Sequence, residues 1–244
     1  MKRFLLLLSL SVAALAQPVT DQMLANPDPA DWLMIRRDYK ANNYSPLNQI
    51  NAGNVKDLQL QWVWAMAEGT NQVAPVVHNG VIFMNNPTNI VQAIDAKTGD
   101  LIWENRIGQT ATGNSQRGLA LWNDKVYVTT SEAHIYALDA RTGKNVWDTV
   151  IGDRTNGTYT TSSGPIIYKG KVIQGLGGGL CDQYREEKCF ISAYDAENGK
   201  LLWKFYTVAK DGEPGGDSWG KLPNLFRAGG DTWITGSIDP ELNL

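Results

Sequence analysis

An eleven-residue pattern that occurs three times constrains the fold of this chain more than any other feature. The copies are AIDAKTGDLIW at 93–103, ALDARTGKNVW at 137–147 and AYDAENGKLLW at 193–203, and they begin 44 and 56 residues apart. A repeat of this length with a tryptophan at a fixed place is typical of β-propellers, in which each copy belongs to one blade. A weaker copy that lacks the turn ends at Trp62 or Trp64.

Each copy contains the elements of a tight turn between two strands. In the first copy, Asp95 can accept hydrogen bonds from backbone N–H groups two or three residues on. Gly99 suits a position with positive φ. Trp103 ends the following strand, and its indole is large enough to wedge between neighbouring sheets. The equivalent residues in the other copies are Asp139, Gly143 and Trp147, and then Asp195, Gly199 and Trp203.

Pairs of short apolar runs around a polar turn lie ahead of each copy and predict hairpins. The pairs are 74–77 with 80–84, 118–122 with 125–130, and 165–168 with 171–175. A hairpin plus the two strands around the Asp-to-Gly turn makes a four-stranded blade. We therefore predict an all-β propeller with three clear blades and parts of one or two others, and 24 glycines and nine tryptophans agree with it.

The N-terminus has the order of features found in a secretory signal peptide. Lys2 and Arg3 precede an apolar stretch at 4–16, which ends in the small-residue site Ala-Leu-Ala ahead of Gln17. The alternative is a buried N-terminal helix. We predict a signal peptide at 1–16, an N-terminal segment at 17–50 and a partial propeller at 51–244. Since no other stretch is apolar enough to span a bilayer, we expect a soluble exported protein.

Export to an oxidising compartment suggests a fate for the two cysteines. Cys181 and Cys189 can form one intramolecular bridge. A zinc site is a weak alternative, because the only histidines, His78 and His134, are distant in sequence. No C-x-x-C-H motif for c-type haem is present. A net charge of −3 without clustered Lys or Arg argues against a nucleic-acid partner.

The repeat resembles the tryptophan-docking motif of alcohol dehydrogenases that depend on pyrroloquinoline quinone (PQQ). So do NYSPLNQIN at 43–51 and GGDTWITGSIDPELNL at 229–244, and the resemblance covers about 32–244. It implies an eight-bladed ring with the quinone on its axis, of which this chain is about half. It also implies a calcium or lanthanide ion. In that family an asparagine metal ligand and the catalytic aspartate follow the segment that ends here at Leu244, so catalytic and metal-binding residues stay unassigned.

The resemblance assigns quinone-binding roles to residues that match the family motifs. Arg117 matches an arginine that pairs with a quinone carboxylate, and Trp233 matches the tryptophan that stacks under the ring. Ser162 stands where the family has a threonine, and Gln72 where many members have glutamate. The alternatives are a solvated surface arginine at 117 and another blade-wedging tryptophan at 233. Asp231 falls where a threonine is common.

The family's G-x-x-G-x-E segment aligns with 175–180 and adds Gly177, Gly178 and Gly179, which let the backbone approach the quinone. Leu180 replaces the glutamate that binds the metal. Asp182, Glu186 or Glu187 in the following loop could substitute, although exposed loop carboxylates are usually solvated. Ala111 and Thr112 stand where many members have two adjacent cysteines.

Three functions follow as expectations. The first is oxidation of an alcohol by bound PQQ in the periplasm, with electrons passed to a separate cytochrome c. The second is a non-catalytic propeller scaffold that resembles the lipoprotein of the outer-membrane barrel-assembly machinery. The third is a fragment without activity of its own.

Overall fold

The computed structural model describes residues 17–109, 116–152, 159–177, 184 and 187–244, and these contain three four-stranded antiparallel sheets. The first sheet contains β1 (Val76–His78), β2 (Val81–Asn86), β3 (Ile90–Asp95) and β4 (Leu101–Arg106). The second contains β5 (Ala120–Trp122), β6 (Lys125–Thr129), β7 (His134–Asp139) and β8 (Asn145–Val150). The third contains β9 (Ile166–Tyr168), β10 (Lys171–Gly175), β11 (Phe190–Asp195) and β12 (Leu201–Tyr206). Strands follow one another in chain order within each sheet, which confirms the predicted blades.

The turn between the third and fourth strand of each blade has the predicted chemistry. In the first blade, Oδ1 of Asp95 accepts from the backbone N–H groups of Lys97 and Thr98, both at 2.8 Å. These donors from Thr98 and Lys97 hold the pKa of the Asp95 carboxyl below its ordinary value of 3.8. Gly99 has φ +78°, in the left-handed region that glycine enters without steric cost. The turns at 139–143 and 195–199 repeat these contacts.

Tryptophans join each blade to the next one, as the repeat predicts. Nε1 of Trp103 donates to the carbonyl oxygen of Ala140 at 2.9 Å, and Nε1 of Trp147 donates to that of Ala196 at 3.1 Å. The weak copy behaves in the same way, because Nε1 of Trp62 donates to the carbonyl oxygen of Ala96 at 3.1 Å. The indole of one repeat therefore docks on the turn of the following blade.

The start of the N-terminal segment packs on the first two blades. Trp32 and Val77 exchange backbone hydrogen bonds of 2.8 Å, which places 31–33 beside β1. Val19 pairs with Asn123 on the second blade, and Leu33 is fully buried in the common core. This segment therefore completes the core rather than standing apart from it.

Helices are few and short among the described residues. They are α1 (Asp21–Ala25) and 3-10 turns at Val55–Asp57, Gly216–Trp219 and Asn224–Phe226. No helix in the described ranges has the length and apolar character needed to cross a membrane.

A long connection at 207–231 follows β12, the outer strand of the third blade, and brings the chain back to the inner end of that blade. The buried Arg227 stabilises this connection, because its guanidinium donates to the carbonyl oxygens of Ala209 and Leu222 at 2.8 and 3.0 Å. The connection therefore places Trp233 at the inner end of the third blade.

Candidate functional site

The segments that lead into the first strands of the three blades lie side by side and form a continuous rim. The backbone N–H of Ala74 donates to the carbonyl oxygen of Arg117 at 3.0 Å, and that of Arg117 donates to the carbonyl oxygen of Ser162 at 3.0 Å. Ala74 and Gly118 also form a parallel bridge. The rim therefore brings together Ala74, Arg117 and Ser162, which follow one another in the chain at intervals of about 45 residues.

Trp233 reaches this rim because the segment before it is bonded to the end of β10. The backbone N–H and the hydroxyl of Thr232 both donate to the carbonyl oxygen of Leu176 at 3.0 Å. A Cβ added at Gly177 would lie 3.1 Å from Cβ of Trp233, so the glycine permits this close approach.

Gly177 also forms two backbone hydrogen bonds with Thr160. Its N–H donates to the carbonyl oxygen of Thr160 at 3.1 Å, and its own carbonyl accepts from the Thr160 hydroxyl at 2.6 Å. Both backbone polar groups of Gly177 thus form hydrogen bonds with Thr160, and the approach of this backbone to a quinone stays a prediction. Gly178 and Gly179 lie outside the described residues.

Arg117 and Trp233 form the chemical centre of the rim. The guanidinium carbon of Arg117 lies 5.0 Å from the centroid of the Trp233 ring, within cation–π range. Nη1 of Arg117 also approaches the carbonyl oxygen of Ser162 at 3.4 Å. Trp233 remains 47% exposed, so a cation and a half-exposed indole stand together at the rim. Such a pair can bind a flat anion, because the guanidinium pairs with carboxylates and the indole stacks on planar rings.

The other predicted cofactor residues take different positions. The side chain of Ser162 is half-buried, and the backbone carbonyl of this residue holds Arg117. Gln72 lies two residues before Ala74 on the same rim, and its side chain is exposed. The structure thus groups Arg117, Ser162 and Trp233, with Gln72 at the edge of the group. Ala111 and Thr112 lie outside the described residues.

Two threonines that position the site were not predicted from the sequence. Thr160 bonds Gly177 and Thr232 bonds Leu176, and both bonds join segments that are distant in the chain. The only local signal was the place of Thr232 directly before Trp233. Nothing in the sequence around Thr160 marks its partner.

The cysteine prediction can be followed at one of its two positions. Cys189 is buried. Oδ1 of Asp231 lies 3.8 Å from the Cys189 sulfur, so this carboxylate is directed at the third blade. Cys181 lies outside the described residues, and the pairing of Cys181 with Cys189 stays a prediction.

Within the described ranges, no three His, Cys, Asp or Glu side chains converge in a group that could hold a metal ion. Glu187, one of the three carboxylates considered as a replacement ligand, accepts from Nζ of Lys204 at 2.7 Å. Nδ1 of His78 lies 2.9 Å from Oδ2 of Asp31, so these two side chains form a buried pair. Leu180, Asp182 and Glu186 lie outside the described residues.

Comparison with known proteins identifies a family and several relatives. Residues 32–244 match the family described as PQQ: glucose/ethanol/alcohol dehydrogenase, beta-propeller domain. The chain is 33% identical over 238 residues to the quinohemoprotein alcohol dehydrogenase ADH-IIG of Pseudomonas putida, which covers 90% of this chain and 33% of that protein. It is 36% identical over 233 residues to the quinohemoprotein alcohol dehydrogenase of Comamonas testosteroni, which covers 87% of this chain and 32% of that protein.

Solved structures give the same result. The Pseudomonas putida ADH-IIG structure aligns with a TM-score of 0.82 at 30% identity, over 95% of this chain and 36% of that one. A europium-containing methanol dehydrogenase aligns with a TM-score of 0.76 at 28% identity, over 88% of this chain and 41% of that one. The chain spans about a third of the length of the curated relatives it matches here.

Proposed function

The chain belongs to the family of PQQ-type glucose, ethanol and alcohol dehydrogenase β-propellers, and we propose on this premise that it takes part in the PQQ-dependent oxidation of an alcohol. The observation that carries the proposal is the Arg117 guanidinium, which lies 5.0 Å from the centroid of the half-exposed Trp233 ring on the blade rim. The rim residues come from separate blades, so the site depends on the propeller fold.

The chemistry of these donors fits the quinone. PQQ is a flat conjugated ring system that carries carboxylates. A planar guanidinium suits a carboxylate because it donates in a two-pronged fork. The exposed face of Trp233 offers a flat apolar surface on which a conjugated ring can stack. The hydroxyl of Ser162, next to the same rim, adds a neutral hydrogen-bonding group.

In this proposal the bound quinone supplies the electron-accepting chemistry, and the protein supplies binding and orientation. Arg117 fixes one edge of the ring through its charge, and Trp233 fixes the plane. Thr232 and Gly177 hold the plane in place because they tie the Trp233 segment to β10. A calcium or lanthanide ion belongs to the proposal as a family expectation, and no step is assigned to it.

We place this function in the periplasm, with an alcohol as substrate and a separate cytochrome c as electron acceptor. The leader pattern at 1–16 supports export. A relative from Gluconobacter oxydans is named the dehydrogenase subunit of an alcohol dehydrogenase (quinone), which supports an electron-transfer partner on another chain.

A titration with PQQ tests the site. The mature chain is titrated with the quinone, and binding is followed by quinone absorbance and calorimetry. Arg117→Ala should weaken binding by about 2 kcal/mol or more, roughly thirtyfold, because a charge-assisted contact is lost. Trp233→Ala should also weaken it, since the stacking surface is removed.

The matched control is Arg141→Ala, which removes an exposed arginine on a turn far from the rim. This variant should bind PQQ as the unchanged protein does. Equal binding by the unchanged protein and Arg117→Ala would remove Arg117 from the site. Absence of PQQ binding by a folded protein would favour the scaffold function instead.

A further inference from the structure

The second blade contains a buried hydrogen bond that ties the rim to the end of its second strand. Gln116 lies on the rim, next to Arg117, and Thr129 is the last residue of β6. The hydroxyl of Thr129 donates to Oε1 of Gln116 at 3.0 Å. Both side chains are buried, at 8% and 0% exposure. This contact therefore fixes the direction of a rim side chain from inside the blade.

The equivalent residues of the first blade are Gln72 and Asn85. Gln72 precedes β1 by four residues, as Gln116 precedes β5. Asn85 and Thr129 each lie two residues after the position of their strand that pairs with the first alanine of the repeat. The two members of each pair are also equally far apart in the chain. The repetition of the fold therefore predicts a contact between Gln72 and Asn85.

This pair is open in the structure. Asn85 is 2% exposed, and within the described residues neither its Oδ1 nor its Nδ2 has a hydrogen-bond partner. The side chain of Gln72 is exposed. A buried carboxamide with both groups unpaired is costly, because it has lost the water that solvates these groups in the unfolded chain. Asn85 therefore requires a partner that both donates and accepts a hydrogen bond.

Two other carboxamides at this end of the first blade already have partners. Nδ2 of Asn89 donates to the carbonyl oxygen of Gln109 at 2.7 Å and to Oε2 of Glu132 at 3.1 Å. Asn86 donates to Gln92 on the opposite side of β2, because successive side chains of a strand alternate between its faces. Neither of these side chains needs Asn85 as a partner.

We propose that Asn85 is a positioning residue for Gln72. The carboxamide of Gln72 turns inward from the rim and pairs with that of Asn85, so that each nitrogen donates to the other oxygen. Asparagine is longer than threonine, so Gln72 needs no greater reach than Gln116 has in the second blade. The pair leaves one N–H and one oxygen lone pair of Gln72 for a ligand.

The role of this pair rests on the proposed function, because the resemblance gives Gln72 a place in the quinone site. A long exposed side chain loses rotamer freedom when a ligand binds it, and this loss weakens binding. Asn85 fixes Gln72 before the ligand arrives, so less freedom is lost in the binding step. Removal of Asn85 should therefore weaken PQQ binding by about threefold to tenfold, the usual effect of immobilising one such side chain.

The first test uses the whole chain without quinone, so it does not depend on the proposed function. The carboxamide N–H groups are observed by NMR of ¹⁵N-labelled protein, and Gln72→Met assigns the signals of Gln72. We expect these groups to exchange slowly with solvent. Asn85→Leu, which is of similar size, should bring them to the rate of an exposed carboxamide. An exposed rate in the unchanged chain would overturn the proposal.

Thr130 is the alternative partner for Asn85, because its buried hydroxyl is also unpaired within the described residues. Thr130→Val should leave the exchange of the Asn85 carboxamide as it is, whereas Gln72→Met should accelerate it. The reverse result would assign Asn85 to Thr130 and would overturn the proposal.

The second test measures PQQ affinity in a double-mutant cycle. Asn85→Leu should weaken binding threefold to tenfold, and Gln72→Met by at least as much. The double variant should bind as Gln72→Met does, because Asn85 acts only through Gln72. Losses that multiply would show that Asn85 acts on stability alone and would overturn the positioning role, as would unchanged binding by Asn85→Leu.

The matched control is Asn86→Leu, which removes a carboxamide from the other face of the same strand. It should keep the PQQ affinity of the unchanged chain, and circular dichroism checks the strand content of all variants. An equal loss with Asn86→Leu would show a general disturbance of β2 and would overturn the role of Asn85. If the folded, unchanged chain does not bind PQQ, the proposed function fails, and the exchange measurement alone decides whether the pair exists.

Discussion

The docking of tryptophans between blades makes a quantitative prediction about two residues at the same position of the repeat. Trp103 is docked and 7% exposed, whereas Trp203 is undocked and 40% exposed. The docked indole therefore removes about a third more of its surface from water, roughly 80 Å² for a side chain of this size. At about 25 cal/mol per Å² this difference is worth about 2 kcal/mol.

The hydrogen bond from Nε1 of Trp103 to the carbonyl oxygen of Ala140 adds about 1 kcal/mol. Trp103→Ala should thus lower the free energy of unfolding by about 3 kcal/mol more than Trp203→Ala. Trp103→Phe keeps most of the ring and should lose about 1 kcal/mol, mainly from the unpaired carbonyl group.

The assay is urea unfolding followed by far-UV circular dichroism, which does not depend on tryptophan emission. The midpoint and slope are compared for the unchanged chain and the three variants, because a change in slope would signal a change in surface exposed. Equal losses for Trp103→Ala and Trp203→Ala would refute the reasoning. In that case each indole would stabilise only its own blade, and its docking on the next blade would contribute nothing to the free energy of unfolding.

Three further predictions concern the cysteines and the turns of the repeats. Thiol labelling after denaturation without reductant should find neither Cys181 nor Cys189 free, and two labelled thiols would disprove their pairing. Gly143→Ala should cost about 2 kcal/mol or more in urea unfolding, because φ is +69° there and the new Cβ would overlap the Trp103 ring; a neutral result would contradict the docked geometry. The lowered pKa of Asp95 means that its contribution to stability is complete above about pH 4 and is lost as pH falls through the folded-state pKa. Asp95→Asn should therefore flatten the acid limb of a stability-against-pH curve, and an unchanged limb would exclude this turn as a source.

The repeats alone were enough to predict the blades. Asp95, Gly99 and Trp103 act within a few residues of one another or across one blade boundary, so the same contacts recur in every copy. The hairpins ahead of each repeat were also correct, since alternating apolar runs and turns are local signals. Even the weak copy at Trp62 proved to dock like the others.

The candidate site could be predicted only in part. The resemblance pointed to Arg117, Ser162 and Trp233, and the structure brings these three together on one rim. Gly177 makes room for Trp233, and its approach to the quinone stays a prediction. The hydrogen bonds between Thr160 and Gly177 could not be predicted from the sequence.

By itself, the sequence determined the fold class, the number of clear blades and the chemistry of each turn, because these depend on contacts between residues close in the chain. Only the tertiary structure decided which turn each indole meets, with Trp62, Trp103 and Trp147 on the three described turns. It also decided that the segment before Trp233 is tied to Leu176. Those outcomes depend on backbone groups from distant segments. Every residue has a backbone carbonyl oxygen, so the sequence does not indicate which carbonyl will accept a given hydrogen bond. Only the tertiary fold determines that partner.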